Sequence, residues 1–256
     1  MAQKLRQPRL AEMVAGNLRE RIVNGELADG AILPTLERLV DDFGVSPAPV
    51  REALRILENE GLITVRRGNV GGAVVHRPKA ETAAYMLGLV LQSRELTVQD
   101  LGAAVRELLT TCASLCARRP NRARTVVPAL RKAHERAVAA IDDTGAVFEH
   151  YCRQFHQTVA ARCGNESLVL VYSSLAWLWS AQDEAWTSRV THDESPSREL
   201  RQLGIDDHAA MVEAIADGDV ERVTTVTRRH VEHPDVLGPA RNAKRRVQAT
   251  RLIPGA

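Results

Sequence analysis

The segment Leu33 to Val75, LPTLERLVDDFGVSPAPVREALRILENEGLITVRRGNVGGAVV, constrains this chain more than any other, because its caps, apolar steps and glycines dictate an order of elements. Thr35 can cap a helix whose Leu39, Val40 and Phe43 face inward, and Gly44 stands where a C-terminal turn asks for positive φ. Ser46 is placed as the next cap, with Pro47 and Pro49 in a first turn where a missing N–H costs little. Val50, Ala53, Leu54 and Leu57 recur at three- and four-residue steps and make one buried stripe, which leaves Ala48, Arg51, Glu52 and Arg55 on the opposite face. Gly61 then stops the helix, Leu62 to Arg66 alternates like a strand, and Gly68 to Gly72 makes a loop from which Ala73 to His76 can return as a paired strand.

Helix, tight turn, helix and a basic two-stranded wing form the layout of a winged helix-turn-helix DNA reader. Two strands alone are marginal in water, so the wing must lean on the helices, with Leu10 to Val23 supplying the first. An exposed arginine pair by itself reads as a solvated face. The ordered series of cap, turn, cap, arginine pair and glycine-rich wing is what points to nucleic acid.

The runs NLRERIVNGELADG, LPTLERL and FGVSPAPVREALRILENEGLITVRRG resemble the amino-terminal domain of GntR-type transcription regulators, over residues 10 to 79 nearly without gaps. The resemblance implies a dimeric repressor or activator whose third helix enters the major groove while the wing touches the backbone or minor groove. Arg51 matches an operator-reading position and Gly68 the wing glycine, so Thr35, Ser46, Ala48, Arg51, Arg55, Arg67 and Gly68 are the expected DNA contacts. The contact surface departs from the family at Pro47, where an arginine is common, and at Glu37, whose carboxylate repels phosphate. An operator unlike the family's usual one is expected.

A chain of 256 residues leaves ample length for a second core beyond a DNA reader of residues 1–79. It has no run of 18 apolar residues and no secretory start, so no membrane partner and a cytoplasmic location are expected. Cys112, Cys116, Cys152 and Cys163 all fall within helical patterns and read as reduced thiols. The net charge of +2 hides an asymmetry: residues 1–79 hold 12 basic and 10 acidic side chains, and residues 237–256 hold 5 basic and none acidic. The 17 basic and 22 acidic residues between them do not make a nucleic-acid surface. The basic tail, with Arg241, Lys244, Arg245, Arg246 and Arg251, reads either as a disordered solubilising end or as a source of nonspecific phosphate attraction.

From Glu81 to about Val236 nearly every segment is helical, with breaks at Arg119-Pro120-Asn121, Thr144-Gly145, Gly164-Asn165, Ser195-Pro196 and Gly218. Short connections of this kind fit an antiparallel all-α bundle over residues 80–236, joined to the reader through a hinge at His76 to Glu81. The expected fold class is therefore mainly α, a winged helix-turn-helix followed by a helical bundle.

The chemistry of the second domain rests on four residues. Cys152 and His156 are four apart and project side by side, near the apolar stripe of Phe148, Phe155 and Val159. His208 shares a face with Val212 and Ile215, and His230 one with Val223 and Thr227. A lone inward histidine is more often a satisfied core residue than a ligand. Four inward N and S donors on three helices can together furnish a transition-metal shell.

The runs FHQTVAARCGN, DDHAAMVEAIADGD and VTTVTRRHVE resemble the FCD ligand-binding domain that follows many GntR-type readers. The resemblance implies a metal site of one aspartate and three histidines, and His156, His208 and His230 occupy the histidine places while Cys152 stands in the aspartate place. Two outcomes follow: a thiolate that strengthens Zn²⁺ binding, or a protonated Cys152 packed as a small apolar residue beside three histidine ligands. Arg106 occupies the place of an arginine common near the start of that domain and is the candidate for an effector carboxylate, with a surface salt bridge as its alternative.

These readings converge on a homodimeric, metabolite-responsive transcription regulator, a repressor released by a small organic acid, with a metal sensor as the alternative. A metal-dependent hydrolase is the remote one, since no general-base glutamate stands at a recognisable spacing from the histidines. No enzyme activity is expected.

Overall fold

The computed structural model describes residues 7–66, 72–187, 196–232 and 244–249. The chain divides into two compact units, Met1–Lys79 and Ala80–Ala256.

The first unit runs α1 (Gln7–Val23), α2 (Leu36–Phe43), α3 (Pro47–Asn59), β1 (Ile63–Arg66) and β2 (Gly72–Val75). Local sequence sets each boundary. Thr35 Oγ1 accepts from the Arg38 N–H at 3.3 Å, and Gly44 closes α2 at φ 62°. Ser46 precedes α3 as its N-cap but makes no side-chain capping bond, so the start of that helix rests on its prolines. Gly61, at φ 71°, turns the chain into β1. The strands pair antiparallel with Ile63 opposite Val75 and Arg66 opposite Gly72. The wing leans on the helices as two lone strands must: Val75 and Ile63 are buried with Leu18, Leu39, Val50 and Leu57, and Glu58 accepts from the Val65 N–H at 3.0 Å. Arg19 grips Glu60 through two hydrogen bonds of 2.6 and 2.8 Å, tying α1 to the end of α3. The loop between the strands lies outside the described residues.

The second unit runs α4 (Ala80–Ser93), α5 (Val98–Arg118), α6 (Arg122–Thr125), α7 (Val127–Ala139), α8 (Gly145–Arg162), α9 (Glu166–Thr187), α10 (Arg198–Asp217) and α11 (Val220–Glu232). A reciprocal Thr97–Asp100 capping box starts α5. This helix is central, packing against α8, α9, α10 and α11, and its Leu109 and Cys112 share a core with Phe155, Val159, Met211 and Ile215. Gly218 ends α10 at φ 75°, where Arg122 donates to the terminal carbonyls of Ala216 and Asp217. Among the described residues no helix is long and apolar enough to cross a membrane.

The described part of the basic tail is not a free, solvated end. Residues 244–249 lie as a strap across the helical unit: Val98 donates to the Arg245 carbonyl at 2.7 Å and Val247 to that of Leu96 at 2.9 Å. Val247 and Ala249 are fully buried, Gln182 clamps the backbone of Gln248 from both sides, and Gln92 accepts from the Ala249 N–H at 2.7 Å. Arg246 pairs with Glu95, so its charge is answered within the chain. Apolar burial and backbone pairing hold this segment, which a count of its charges conceals. Arg241 and Arg251 lie outside the described residues.

Candidate metal centre and nucleic-acid interface

On α3 the buried stripe is Pro49, Val50, Ala53 and Leu57, which turns Ala48, Arg51 and Arg55 to solvent together with Thr35 and Ser46 at the helix caps. Arg55 is not a free cation: it pairs with Glu52 one turn back, at 3.2 Å. Arg51 feels Glu37, whose carboxyl lies below its ordinary range through the α2 N-terminal backbone, Thr35 and the Arg51 charge. The family's arginine place thus holds a carboxylate facing the helix that would read DNA. Arg67 and Gly68 lie outside the described residues.

In the helical unit three of the four expected metal donors meet. His156 on α8, His208 on α10 and His230 on α11 are all but fully buried, and their ligand atoms lie within 4.8 Å of one another. The three Nε2 atoms form a triangle with edges of 2.9 Å (His156 to His230), 3.2 Å (His156 to His208) and 3.2 Å (His208 to His230). His208 stacks on Phe155 with ring centroids 4.0 Å apart, which fixes its plane.

This triangle fits a cation better than it fits protons. A metal about 2.0–2.1 Å from each imidazole nitrogen holds those nitrogens about 2.9–3.4 Å apart across tetrahedral and octahedral arrangements. A nitrogen that either donates or accepts cannot satisfy both of two neighbours that are also neighbours of each other. At least one edge must then set two lone pairs or two N–H groups face to face. Burial, and then the neighbouring His230, push His156 and His208 well below the ordinary imidazole value. The nitrogens of His156 and His208 are therefore held in the neutral form a metal requires.

Cys152 does not join them. One turn earlier on α8, about 6 Å along the axis, it packs half-buried against the separate cluster of Ala137, Phe148 and Ile205. Burial, and then Glu149, push its thiol up to about 12, so it stays protonated at neutral pH. Of the two outcomes expected for Cys152, this placement is that of the protonated thiol packed as a small apolar residue: i,i+4 spacing puts two side chains on one helix face, yet neighbouring helices divide that face into two environments. Arg106 is half-buried on α5, with Nη1 beside Gly102, which also faces the Trp179 indole nitrogen. It forms no ion pair among the described residues.

Sequence reasoning missed Asp207. Its Oδ2 lies 3.6 Å from His230 Nδ1, the ring nitrogen turned away from the triangle, and Arg229 binds its other oxygen. Burial raises the Asp207 carboxyl, but His230 and Arg229 outweigh it and bring the group below its ordinary range. The signal was present as two dipeptides, Asp207-His208 and Arg229-His230, which face each other across two helices.

A winged helix-turn-helix reader and a helical bundle with a buried histidine triad define a DNA-binding regulator with a ligand-binding domain. Comparison with known proteins agrees: residues 10–74 match the family described as bacterial regulatory proteins, gntR family, and residues 100–233 match the FCD domain. The chain belongs to the GntR regulators that carry an FCD domain. It is 28% identical over 231 residues to the HTH-type transcriptional repressor NanR of Klebsiella aerogenes, covering 89% of this chain and 85% of that one. It is likewise 28% identical over 234 residues to NanR of Salmonella schwarzengrund, covering 89% and 83%. Among solved structures, a GntR protein of Streptococcus agalactiae shares the fold, with TM-score 0.65 and 19% identity over 87% of this chain and 97% of that one.

Proposed function

We propose that this regulator is a repressor which binds its operator as a homodimer and leaves it when a small organic acid binds the helical unit beside a metal held by His156, His208 and His230. The observation that carries this reading is the buried Nε2 triangle, with edges of 2.9 to 3.2 Å. Three neutral imidazoles suit Zn²⁺ and its neighbours in the transition series over Mg²⁺ or Ca²⁺, and we take zinc as the occupant. Three protein donors leave coordination open, and a bound metal supplies there an acceptor for carboxylate oxygens. Arg106, a guanidinium with no carboxylate of its own among the described residues, is the second anchor for such an acid.

The readers engage double-stranded DNA through Arg51, Ala48 and the rim formed by Thr35, Ser46 and Arg55, with Arg67 and Gly68 in the wing. A dimer presents two such surfaces to a two-fold operator, and a cytoplasmic location follows from the DNA partner. The relatives' printed role supports repression over activation. The acid can shift operator affinity only by preferring one arrangement of the dimer, and about 1–3 kcal/mol is the usual size of such coupling. We read the triad as a sensor and not a catalyst, because the carboxylate beside it, Asp207, lies on the outer nitrogen of His230 and is paired with Arg229.

Metal content by mass spectrometry, with operator binding measured on the same preparations, tests this. About one zinc per chain is expected in the wild type and none in His208→Ala, with DNA binding retained and response to acids lost. A wild type that takes no metal overturns the reading. Release from the operator by zinc alone, without any acid, would make the protein a metal sensor.

A further inference from the structure

We infer that Asp207 is a positioning residue for the triad: its carboxylate holds His230 in the tautomer with the proton on Nδ1, which leaves the Nε2 lone pair facing His156 and His208. The inference rests on the metal reading for its purpose, but its geometry stands without a metal. Asp207 Oδ2 is 3.6 Å from His230 Nδ1, an ion-pair distance just beyond a hydrogen bond, which places a carboxylate on that side of the ring. The opposite nitrogen, Nε2, lies 2.9 Å from His156 and 3.2 Å from His208. A neutral imidazole has one proton for two nitrogens, so whichever end meets a carboxylate decides the state of the other.

The surroundings fit this role. The side chain of Asp207 is only 14% exposed while that of Arg229 is 67% exposed, so the guanidinium reaches over the carboxylate from outside and the imidazole meets it from inside. Arg229 takes Oδ1 and thereby turns Oδ2 toward the ring. Asp207 is the chain neighbour of one triad member and Arg229 of another, so this clasp joins α10 to α11 at the level where both present their histidines. His208 has no such arrangement: no carboxylate lies within ion-pair distance of its ring among the described residues. Its ring is fixed by stacking on Phe155 instead. The triad therefore uses two devices, an aromatic stack for His208 and a carboxylate for His230. Carboxylates that orient metal-binding histidines in this way commonly change affinity about 10- to 100-fold.

The test compares wild type, Asp207→Ala and Asp207→Asn, first free of metal and then with zinc added. Long-range ¹H–¹⁵N correlation on the metal-free protein, above the ordinary histidine titration range, should show His230 protonated on Nδ1 in the wild type. In Asp207→Ala the proton should move wholly or partly to Nε2, and the tautomers of His156 and His208, whose Nε2 atoms face it, should redistribute with it. Zinc affinity by chelator competition should fall about 10- to 100-fold in Asp207→Ala. Asp207→Asn keeps the volume and a neutral acceptor and should fall between the two, which serves if the alanine variant does not fold. Unchanged tautomer and unchanged zinc affinity in the variant that folds would overturn the inference. A wild type that shows the Nδ1 tautomer but binds no zinc leaves Asp207 in its role and overturns the metal reading instead.

Discussion

A Cβ built on Gly88 of α4 would lie 2.7 Å from the Cβ of Ala249 in the C-terminal strap, and 3.0 Å from a methyl of Leu178 on α9. Gly88 is thus the point where helix, strap and neighbouring helix close to backbone distance. Its missing side chain is what lets the strap lie down. Overpacking of this kind costs about 1–3 kcal/mol, whereas replacing a helical glycine by alanine recovers up to about 1 kcal/mol. Gly88→Ala should therefore lower stability by about 1–2 kcal/mol in denaturant unfolding and make the C-terminal residues sensitive to carboxypeptidase. Equal stability and unchanged digestion would show that α4 shifts to accommodate the methyl.

Cys152 separates two ideas of the metal site. It packs against Ala137, Phe148 and Ile205, with its thiol pushed up to about 12. Cys152→Ala should keep its zinc, while His156→Ala and His230→Ala should lose it. Native alkylation by iodoacetamide at neutral pH should be slow at Cys152, because the thiolate is the nucleophile and burial suppresses it. Loss of metal in Cys152→Ala would mean that the thiol swings one turn along α8 when metal arrives.

Acid should weaken the metal-free protein from a defined point. Burial lowers His156 and His208 well below the ordinary value of 6.5 in the folded state, while the unfolded chain protonates near that value. Below it the unfolded state binds more protons than the folded one, so stability falls with pH, and above it these groups contribute no slope. Unfolding midpoints of the apo protein measured from alkaline to mildly acid pH should be flat and then decline through the ordinary histidine range. His208→Phe, which cannot take up that proton, should soften the decline, and an equal decline in both proteins would assign it to other groups.

Arg51 is expected to carry more of operator recognition than Arg55, since Arg55 is already paired with Glu52 at 3.2 Å. Arg51→Ala should cost about 1–3 kcal/mol in operator binding if it reads a base. Arg55→Ala should cost less and act alike on all sequences. Glu37→Gln should tighten binding and steepen its salt dependence, because a carboxylate near phosphate is then removed. Fluorescence anisotropy across a salt series distinguishes these effects, and tighter binding by Arg51→Ala would refute the assigned surface.

The amino acid sequence by itself determined the DNA reader. Thr35, Gly44, the prolines of α3 and Gly61 act through the backbone within a few residues, and the Val50, Ala53, Leu57 stripe leaves Arg51 outside for reasons of helical period alone. The three histidines were legible too, since inward faces at helical spacing can be counted. Only the tertiary structure decided which donors meet. Cys152 and His156 share a face of α8 but contact different neighbours, and the split arises where α7 and α10 pack, which no local pattern records. Asp207 and His230 are 23 positions apart in the chain and become partners only because α10 and α11 pack side by side. The strap is the plainest case: six residues rich in arginine read as solvated, and the groove that buries Val247 and Ala249 exists only once α4, α5 and α9 have assembled. Local propensity acts through neighbours in the chain, whereas burial acts through neighbours in space.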